Sequence, residues 1–332
     1  MAEKWPDGGQ ILEMASAMRP ACVLGAAAEL DLFGVLGGES LSAEAVAQRL
    51  DADLRATRML LDALAAARLL EKRDEWYSVP AELRPLLTDG TPRSVLPMVR
   101  HSMSVLRNWI QLAWVTKSGI PAMRQASIRG FEADRAAFIA AMHSVSGPIA
   151  DGLVARLMPL EFKHLLDVGG ASGTWTLAFL RAVPGAKATI FDLPDAIRQA
   201  RDRIGAGEFA DRVALAPGDF YQDDLPAGAD FAWVSAIIHQ HGRKHNQELY
   251  RRVHKALARG GRIGIRDVVM EPCRTRPLAG ALFAINMLVG TETGGTFTFE
   301  EFAEDLRSAG FVDPELRLRG EQMDSVVLAA RP

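Results

Sequence analysis

The spacing of apolar residues divides the chain into a helical first part and a later part in which short apolar runs alternate with amphipathic segments. An apolar stripe over residues 11–33, which only Pro20 interrupts, predicts a helix at the start of the chain. Ser42 is placed to cap a second helix over residues 43–50, and a third is predicted over residues 54–70.

The alternating residues 69–79 predict a short hairpin after these helices, and helix, helix and hairpin in this order are typical of a winged helix spanning about residues 41–80. In a DNA-binding protein, the second helix presents basic and polar side chains to the major groove. Here that segment carries six apolar residues, namely Leu60, Leu61, Leu64, Ala65, Ala66 and Leu69. This composition favours packing over DNA binding.

Beyond Phe162 the alternation predicts strands and helices in turn. The predicted strands are 164–168, 188–191, 213–216, 231–236, 262–266 and 325–329, and the predicted helices are 175–181, 195–204, 246–258 and 299–309. This order indicates an α/β fold with a doubly wound sheet and a ligand at the carboxyl ends of its strands. We expect two domains, 1–158 and 159–332, with the boundary near residues 158–163.

The first of these strands ends in a glycine-rich turn over residues 167–173, which contains Gly169, Gly170 and Gly173. A dinucleotide-binding turn, G-x-G-x-x-G, needs another glycine where this chain has Ala171 or, in the other frame, Val168. The carboxylate of Asp167 would repel a pyrophosphate but suits a cationic ammonium group. The turn therefore favours S-adenosylmethionine over a dinucleotide.

Acidic residues also follow the next two strands. Asp192 comes after the second strand, where a carboxylate accepts hydrogen bonds from ribose hydroxyls, as it also does in NAD-binding proteins. After the third strand, Asp219 offers a carboxylate to an adenine amino group and Phe220 offers a ring to stack on the base. This ordered set predicts an adenosine-containing ligand.

The composition of the chain limits the expected partners, metal or disulfide sites and cellular location. A formal net charge of −3 gives no electrostatic case for nucleic acid or an anionic membrane surface. Cys22 and Cys273 are far apart and lack metal-ligand spacing, so we expect neither a disulfide framework nor a metal site. Residues 1–10 lack the apolar core of a signal peptide, and no apolar run approaches the roughly 20 residues of a membrane span. A cytoplasmic protein is expected.

On these motifs the chain resembles, over nearly its whole length, the two-domain S-adenosylmethionine-dependent O-methyltransferases of the plant caffeate and bacterial natural-product type. The resemblance implies a Rossmann-like methyltransferase sheet and an N-terminal all-helical, winged-helix-like dimerisation domain. It also implies a homodimer, a small-molecule acceptor, S-adenosylhomocysteine as product and no metal. The cofactor-binding residues that it implies are Asp167, Gly169, Gly170, Gly173, Asp192, Leu193, Gly218, Asp219, Phe220 and Ser235.

The resemblance also implies a catalytic pair. His239, after the fourth strand, matches the family's general base, and Asp267, at the end of the fifth strand, matches the carboxylate that orients it. A neutral imidazole, with an ordinary pKa of about 6.5, can take a proton from a hydroxyl at physiological pH. The carboxylate would fix the tautomer and stabilise the imidazolium.

Three positions depart from the family pattern, because Gln240 and His241 replace an aspartate and a tryptophan, and Phe297 stands where a second acid is usual. The weaker base site keeps a sulfur or nitrogen acceptor open beside a hydroxyl, since a thiolate needs little base assistance. A winged-helix regulator that senses S-adenosylmethionine and a fold diverted to non-methylating chemistry also stay open. The resemblance implies an acceptor site lined by Trp109, Phe138, Met142, His143, Asn286 and Glu292.

Overall fold

The computed structural model describes residues 5–91, 93–205 and 207–332, including every side chain except those of residues 143 and 145. Its helices are α1 (Gly8–Ser16), α2 (Met18–Glu29), α3 (Leu32–Leu36), α4 (Ala43–Leu50), α5 (Leu54–Ala66), α6 (Leu96–Trp109), α7 (Leu112–Ser118), α8 (Gly130–Leu157), α9 (Thr174–Ala182), α10 (Pro194–Ile204), α11 (Arg243–Ala256), α12 (Leu278–Gly290) and α13 (Phe299–Ser308).

Its strands are β1 (Leu41–Ser42), β2 (Glu71–Arg73), β3 (Trp76–Ser78), β4 (His164–Val168), β5 (Lys187–Asp192), β6 (Val213–Pro217), β7 (Ala229–Ser235), β8 (Leu257–Asp267), β9 (Val269–Met270), β10 (Phe297–Thr298), β11 (Val312–Leu318) and β12 (Ser325–Ala330). The contacts of the chain define two compact units. The first runs to Arg107 and includes Arg124–Ser144, and the second comprises Asn108–Met123 and Val145–Pro332.

The first unit contains the predicted succession of two helices and a hairpin. Strands β1, β3 and β2 form an antiparallel sheet in that order beside α4 and α5. Ser42 Oγ caps α4 by accepting a hydrogen bond of 3.3 Å from Ala45 N. Leu61 and Leu64 of α5 are fully buried, as the packing interpretation expects. Helix α5 ends at Ala66, before the predicted residue 70, and Arg68 then adopts a left-handed φ of 59°.

The N-terminal helix predicted over residues 11–33 is divided into α1, α2 and α3, and the breaks do not fall at Pro20. Pro20 is the third residue of α2. Residues in the first turn of a helix donate no intrahelical hydrogen bond, so a proline is tolerated there.

Two stretches of the described chain, Gly8–Glu29 and Gly130–Leu157, have the length and apolar composition of a membrane span. This differs from the sequence expectation, because isolated charges such as Glu13 and Arg19 interrupt the apolar run without making the helix polar on average. Core helices of globular proteins meet the same two criteria.

The second unit is built on a seven-stranded sheet with the order β11-β12-β8-β7-β4-β5-β6. The five strands from β8 to β6 are parallel, whereas β12 and β11 are antiparallel additions at one edge. Helices α8 and α9 contribute to the core on one face, and α11 and α13 to the core on the other. The predicted Rossmann-like α/β fold is confirmed. The carboxyl ends of the five parallel strands lie side by side at one end of the sheet, which is called here the carboxyl edge.

The second unit begins before the boundary predicted near residues 158–163. The last two turns of α8 pack into the core of this unit through Ala150, Leu153, Val154 and Leu157. The segment Asn108–Met123 belongs to the same unit, so the chain passes between the two units more than once.

Candidate active site

The glycine-rich turn follows β4 at the carboxyl edge of the sheet. Gly169 and Gly173 have φ values of +67° and +75°, a region that residues with a side chain rarely adopt. A Cβ atom at Gly169 would lie 2.5 Å from Ile237 Cδ1, and one at Gly173 would lie 2.8 Å from Ile204 Cδ1. The conformation of the turn therefore requires glycine at both positions, and a side chain there would also displace the tips of these two isoleucines.

Asp167 lies beneath this turn and is 1% exposed. Its Oδ2 accepts a hydrogen bond of 2.6 Å from Thr176 Oγ1, whereas Oδ1 is buried and has no partner among the described residues. Burial raises the pKa of Asp167 to about 7, and the nearby charge of Asp192 contributes to the rise. An unpaired buried carboxylate oxygen fits the ammonium group of S-adenosylmethionine.

Asp192, the last residue of β5, braces the turn. Its Oδ2 accepts a hydrogen bond of 2.7 Å from Ala171 N, and its Oδ1 accepts one of 2.7 Å from Leu193 N. Burial raises the pKa of Asp192, although both hydrogen bonds oppose the rise. Each carboxylate oxygen has a second lone pair, so the group can also accept ribose hydroxyls. The side chain of Leu193 is about half exposed.

The residues after β6 are hydrogen-bonded to residues at the same carboxyl edge of the sheet. Gly218 N donates a hydrogen bond of 2.9 Å to Asp192 O, and Asp219 Oδ1 accepts one of 2.9 Å from Tyr221 N. Phe220 meets Tyr221 edge to face at 4.6 Å, and Tyr221 meets His241 at 4.7 Å. Burial lowers the pKa of His241, so this ring is neutral at physiological pH.

His239 lies in a short 3-10 turn, Ile238–Gln240, that follows β7. Its Nδ1 is 2.9 Å from Asp267 Oδ2 and 3.0 Å from Asp267 Oδ1, and both side chains are buried. Val268 N donates a further hydrogen bond of 2.8 Å to Asp267 Oδ1. Because a carboxylate only accepts, Nδ1 is the donor in this contact, and in the neutral tautomer of the ring Nε2 presents a lone pair. Nε2 has no hydrogen-bond partner within the described part of the chain.

The segment 293–295, called here the clamp, holds the backbone around His239. Gly295 N donates a hydrogen bond of 2.8 Å to His239 O, and Thr293 Oγ1 accepts one of 3.0 Å from Gly242 N. A Cβ atom at Gly294 would lie 2.5 Å from His239 O. The clamp therefore fixes the position of the imidazole through the main chain.

At the carboxyl end of β7, Ser235 Oγ accepts a hydrogen bond of 2.8 Å from Arg266 Nη1. The Arg266 guanidinium lies 4.6 Å from the centre of the Trp175 ring. Neither Arg266 nor Trp175 was among the residues predicted from the sequence. The available signal was a charged residue directly after the short run Ile263–Ile265.

On the side where the acceptor is predicted to bind, Phe283 of α12 meets the His239 ring edge to face at 4.8 Å. The sequence analysis missed Phe283, because it lies in a largely apolar helix in which only Asn286 stands out as polar. Trp109 Nε1 donates a hydrogen bond of 2.9 Å to Asn286 Oδ1, and these two residues belong to the same unit as His239. Glu292 is exposed in the loop after α12.

The remaining predicted acceptor residues belong to the first unit or are not described. Phe138 and Met142 lie on the part of α8 assigned to the first unit, where the Phe138 ring packs against His101 at 5.0 Å. The side chain of His143 lies outside the described residues. A role for these three residues at the acceptor stays a prediction.

The family model for the O-methyltransferase domain matches residues 103–312, and the model for the O-methyltransferase dimerisation domain matches residues 12–81. The chain belongs to the O-methyltransferase family. It is thus an S-adenosylmethionine-dependent methyltransferase, and the resemblance noted in the sequence is confirmed.

Among its relatives, the tetracenomycin polyketide synthesis 8-O-methyltransferase of Streptomyces glaucescens is 32% identical, with 92% of this chain and 91% of the relative covered. The 3-hydroxy-5-methyl-1-naphthoate 3-O-methyltransferase of Streptomyces sahachiroi is 29% identical, with 90% and 88% covered. Human N-acetylserotonin methyltransferase, solved in complex with S-adenosylmethionine, superimposes with a TM-score of 0.79 at 25% identity, with 100% of this chain and 99% of that chain covered.

Two of the residues that depart from the family pattern in this methyltransferase have defined local contacts. Gln240 is exposed, and its side-chain amide donates a hydrogen bond of 3.3 Å to Ala236 O. Phe297 pairs with Val269 in the β9–β10 ladder, next to the clamp. Backbone hydrogen bonds of the clamp thus hold His239 in the region where the sequence lacks the second acid.

Proposed function

We propose that this enzyme transfers a methyl group from S-adenosylmethionine to a ring hydroxyl of a small aromatic acceptor, with His239 as general base. The observation that carries the proposal is the bond from His239 Nδ1 to buried Asp267, which leaves Nε2 as a free acceptor. The names of two relatives support the acceptor class, since each specifies O-methylation, one of a polyketide and one of a hydroxynaphthoate.

In this proposal, His239 Nε2 removes the proton from the acceptor hydroxyl, and Asp267 stabilises the resulting imidazolium. A phenolate attacks an electrophile far faster than a neutral phenol does. The bound cofactor supplies the methyl carbon, whose bond to the sulfonium sulfur breaks as its bond to the acceptor oxygen forms. Phe283, edge-on to the imidazole, excludes water from one side of the base.

The cofactor is assigned to the turn and the three strand ends beside it. Asp167 would take the ammonium group, Asp192 the ribose hydroxyls and Asp219 the adenine amino group, with Phe220 against the base. The dimerisation domain supports a homodimer as the working form. A cytoplasmic location stays a prediction.

The experiment is methyl transfer from labelled S-adenosylmethionine to a panel of hydroxyarenes, thiols and amines. Replacement His239→Ala should lower the rate on a hydroxyarene by about 10²- to 10⁴-fold, the usual contribution of a general base. Binding of S-adenosylhomocysteine, measured by calorimetry, should stay within about twofold of wild type. His245→Ala is the matched control, because His245 is exposed and should retain activity.

Label that appears only on thiols or amines would overturn the hydroxyl acceptor. Equal activity of the His239→Ala variant and wild type on a hydroxyarene would overturn the role of the base. Cofactor binding without turnover of any acceptor in the panel would contradict the methyl-transfer proposal.

A further inference from the structure

Asn246 is a polar residue on the buried face of α11. The buried residues of this helix recur at the three- and four-residue spacing of one helix face, and they are Asn246, Leu249, Tyr250, Val253 and Ala256. Asn246 is only 1% exposed, although asparagine is mostly found at protein surfaces. Because a buried amide is costly unless it is hydrogen-bonded, the contacts of Asn246 indicate what it does at this position.

The side chain of Asn246 is hydrogen-bonded to the short turn that carries His239. Asn246 Nδ2 donates a hydrogen bond of 2.9 Å to Ile238 O and a longer one of 3.4 Å to His241 O. An amide nitrogen carries two N–H donors, so both bonds form at the same time. The two acceptors lie on either side of His239 in the chain, and a single side chain therefore spans the turn.

These two contacts also determine the orientation of the amide. In the reverse orientation, Asn246 Oδ1 would face two carbonyl oxygens, and none of these three atoms can donate. In the observed orientation, Oδ1 is buried and has no hydrogen-bond partner among the described residues. The amide thus holds the turn while its own oxygen stays unsatisfied, which a purely structural residue of the core would avoid.

Three successive carbonyl groups of the turn accept hydrogen bonds from different donors. Ile237 O accepts one of 3.0 Å from Gln240 N, within the turn itself. Ile238 O accepts the bond from Asn246 Nδ2, and His239 O accepts the bond from Gly295 N of the clamp. The last two donors come from outside the turn. Of these, only the bond from Asn246 depends on a side chain, so a substitution can remove it and leave the clamp in place.

We propose that Asn246 is a positioning residue for methyl transfer, which holds the backbone of the turn so that His239 Nδ1 reaches Asp267 and Nε2 reaches the acceptor. This inference rests on the proposed role of His239 as general base. A base must lie within hydrogen-bond distance of the proton that it removes, and a displacement of about 1 Å slows the reaction strongly. Asn246 acts through the main chain of Ile238 and His241.

The test measures rate and binding separately. Asn246→Ala removes both donors and should lower kcat on a hydroxyarene about tenfold or more, because a misplaced base costs rate. The KM for the hydroxyarene and the Kd of S-adenosylhomocysteine should stay within about twofold of wild type. Asn246→Asp keeps the shape of the side chain but places a carboxylate, which only accepts, against Ile238 O. It should lower kcat at least as much.

Lys244→Ala is the matched control, because Lys244 lies in the first turn of the same helix and is exposed. It should retain the wild-type kcat. The NMR signals of the His239 imidazole nitrogens should shift in Asn246→Ala and stay as in wild type in Lys244→Ala.

A double variant separates positioning from general loss of structure. In a His239→Ala background, Asn246→Ala should change the residual rate less than about twofold, because Asn246 acts through the imidazole that is no longer there. A structural role alone would lower the rate by the same factor in both backgrounds.

A wild-type kcat in Asn246→Ala, measured beside a His239→Ala variant that has lost its rate, would overturn this inference and leave the proposed base intact. An equal loss in the two backgrounds would also overturn it. Equal activity of His239→Ala and wild type would overturn the proposed base, and this inference with it. If Asn246→Asp does not fold, as judged by circular dichroism, Asn246→Ala carries the comparison.

Discussion

Asp167 combines deep burial with one unsatisfied oxygen, so its protonation state is set by what binds above it. Its pKa of about 7 means that the ligand-free protein holds this carboxyl half protonated near neutral pH. A cation placed against Oδ1 favours the ionised form. Under the proposed cofactor assignment, binding of the cofactor and loss of the Asp167 proton are coupled.

The coupling predicts a pH dependence of affinity. Below pH 7 the proton must leave before the ammonium can pair, so the Kd of S-adenosylhomocysteine should rise about tenfold per pH unit as pH falls from 6.5 to 5.5. Calorimetry in buffers of different ionisation enthalpy should detect proton release near pH 6. Asp167→Asn should bind more weakly at pH 8 and show a flat profile. A flat wild-type profile would contradict the coupling.

The raised pKa of Asp167 affects folding stability in the opposite direction: stability falls as pH rises. A carboxyl whose pKa is raised in the folded state favours the native protein while it is protonated, and this advantage is lost as pH rises from about 4 through 7. Ligand-free Asp167→Asn should therefore have a higher Tm than wild type at pH 8. The difference should shrink towards pH 5, and thermal melts at the two pH values test this.

At the scale of elements, the clamp gives a direct prediction. Gly294→Ala would place a Cβ atom against His239 O and displace His239, the proposed base, whereas a Cβ atom at Gly295 would meet nothing within 4 Å. The first replacement should lower kcat about tenfold or more without changing the Kd of S-adenosylhomocysteine, since misplacing a catalytic group costs rate. Gly295→Ala is the matched control and should retain the wild-type kcat.

NMR of the imidazole nitrogens tests the clamp prediction without the need for an acceptor substrate. The His239 signals should shift in Gly294→Ala and stay as in wild type in Gly295→Ala. Identical spectra and rates for both variants would show that the clamp does not position the base.

Helices and strands could be predicted where a periodic pattern of apolar residues ended at a residue type that marks an element boundary. Strand β4 was predicted with its observed ends, and the five other predicted strands are present with ends moved by a few residues. The sequence analysis missed β11, because Asp313 and Pro314 break its apolar pattern and an edge strand needs only one partner. It also missed α12, since an apolar helix lacks an amphipathic period.

The candidate site could be predicted only in part, for a related reason. Asp192 and Asp267 end their strands and His239 follows one, so topology alone brings them to one edge. The bond of Arg266 to Ser235 depends on the register between β8 and β7, and the clamp depends on a close backbone approach. Neither property is encoded in local periodicity.

For the whole molecule, helix α1 predicts association with a second copy. None of its residues is buried, although Ile11, Leu12 and Met14 are apolar and at least 54% exposed. The dimerisation domain begins at residue 12, so we expect this surface to be covered by a partner subunit.

Leu12→Glu/Met14→Glu should convert the dimer to a monomer in light scattering, because burying two carboxylates in an apolar interface is costly. Glu13→Gln, on the same helix, is the control and should remain dimeric. A dimer that persists in the double variant would contradict a role for α1. Flotation of the wild type with lipid vesicles would instead favour membrane association of this stretch.

The passage of the chain between the two units limits how this enzyme can be recombined. A cut at residue 159 would remove the last turns of α8 from beneath the sheet and Trp109 from beside Asn286. The catalytic part therefore cannot be exchanged between proteins through a single junction in the chain. Chimaeras that exchange acceptor preference among relatives should succeed when they exchange surface loops such as the one after α12, and fail when they exchange everything on one side of a single junction.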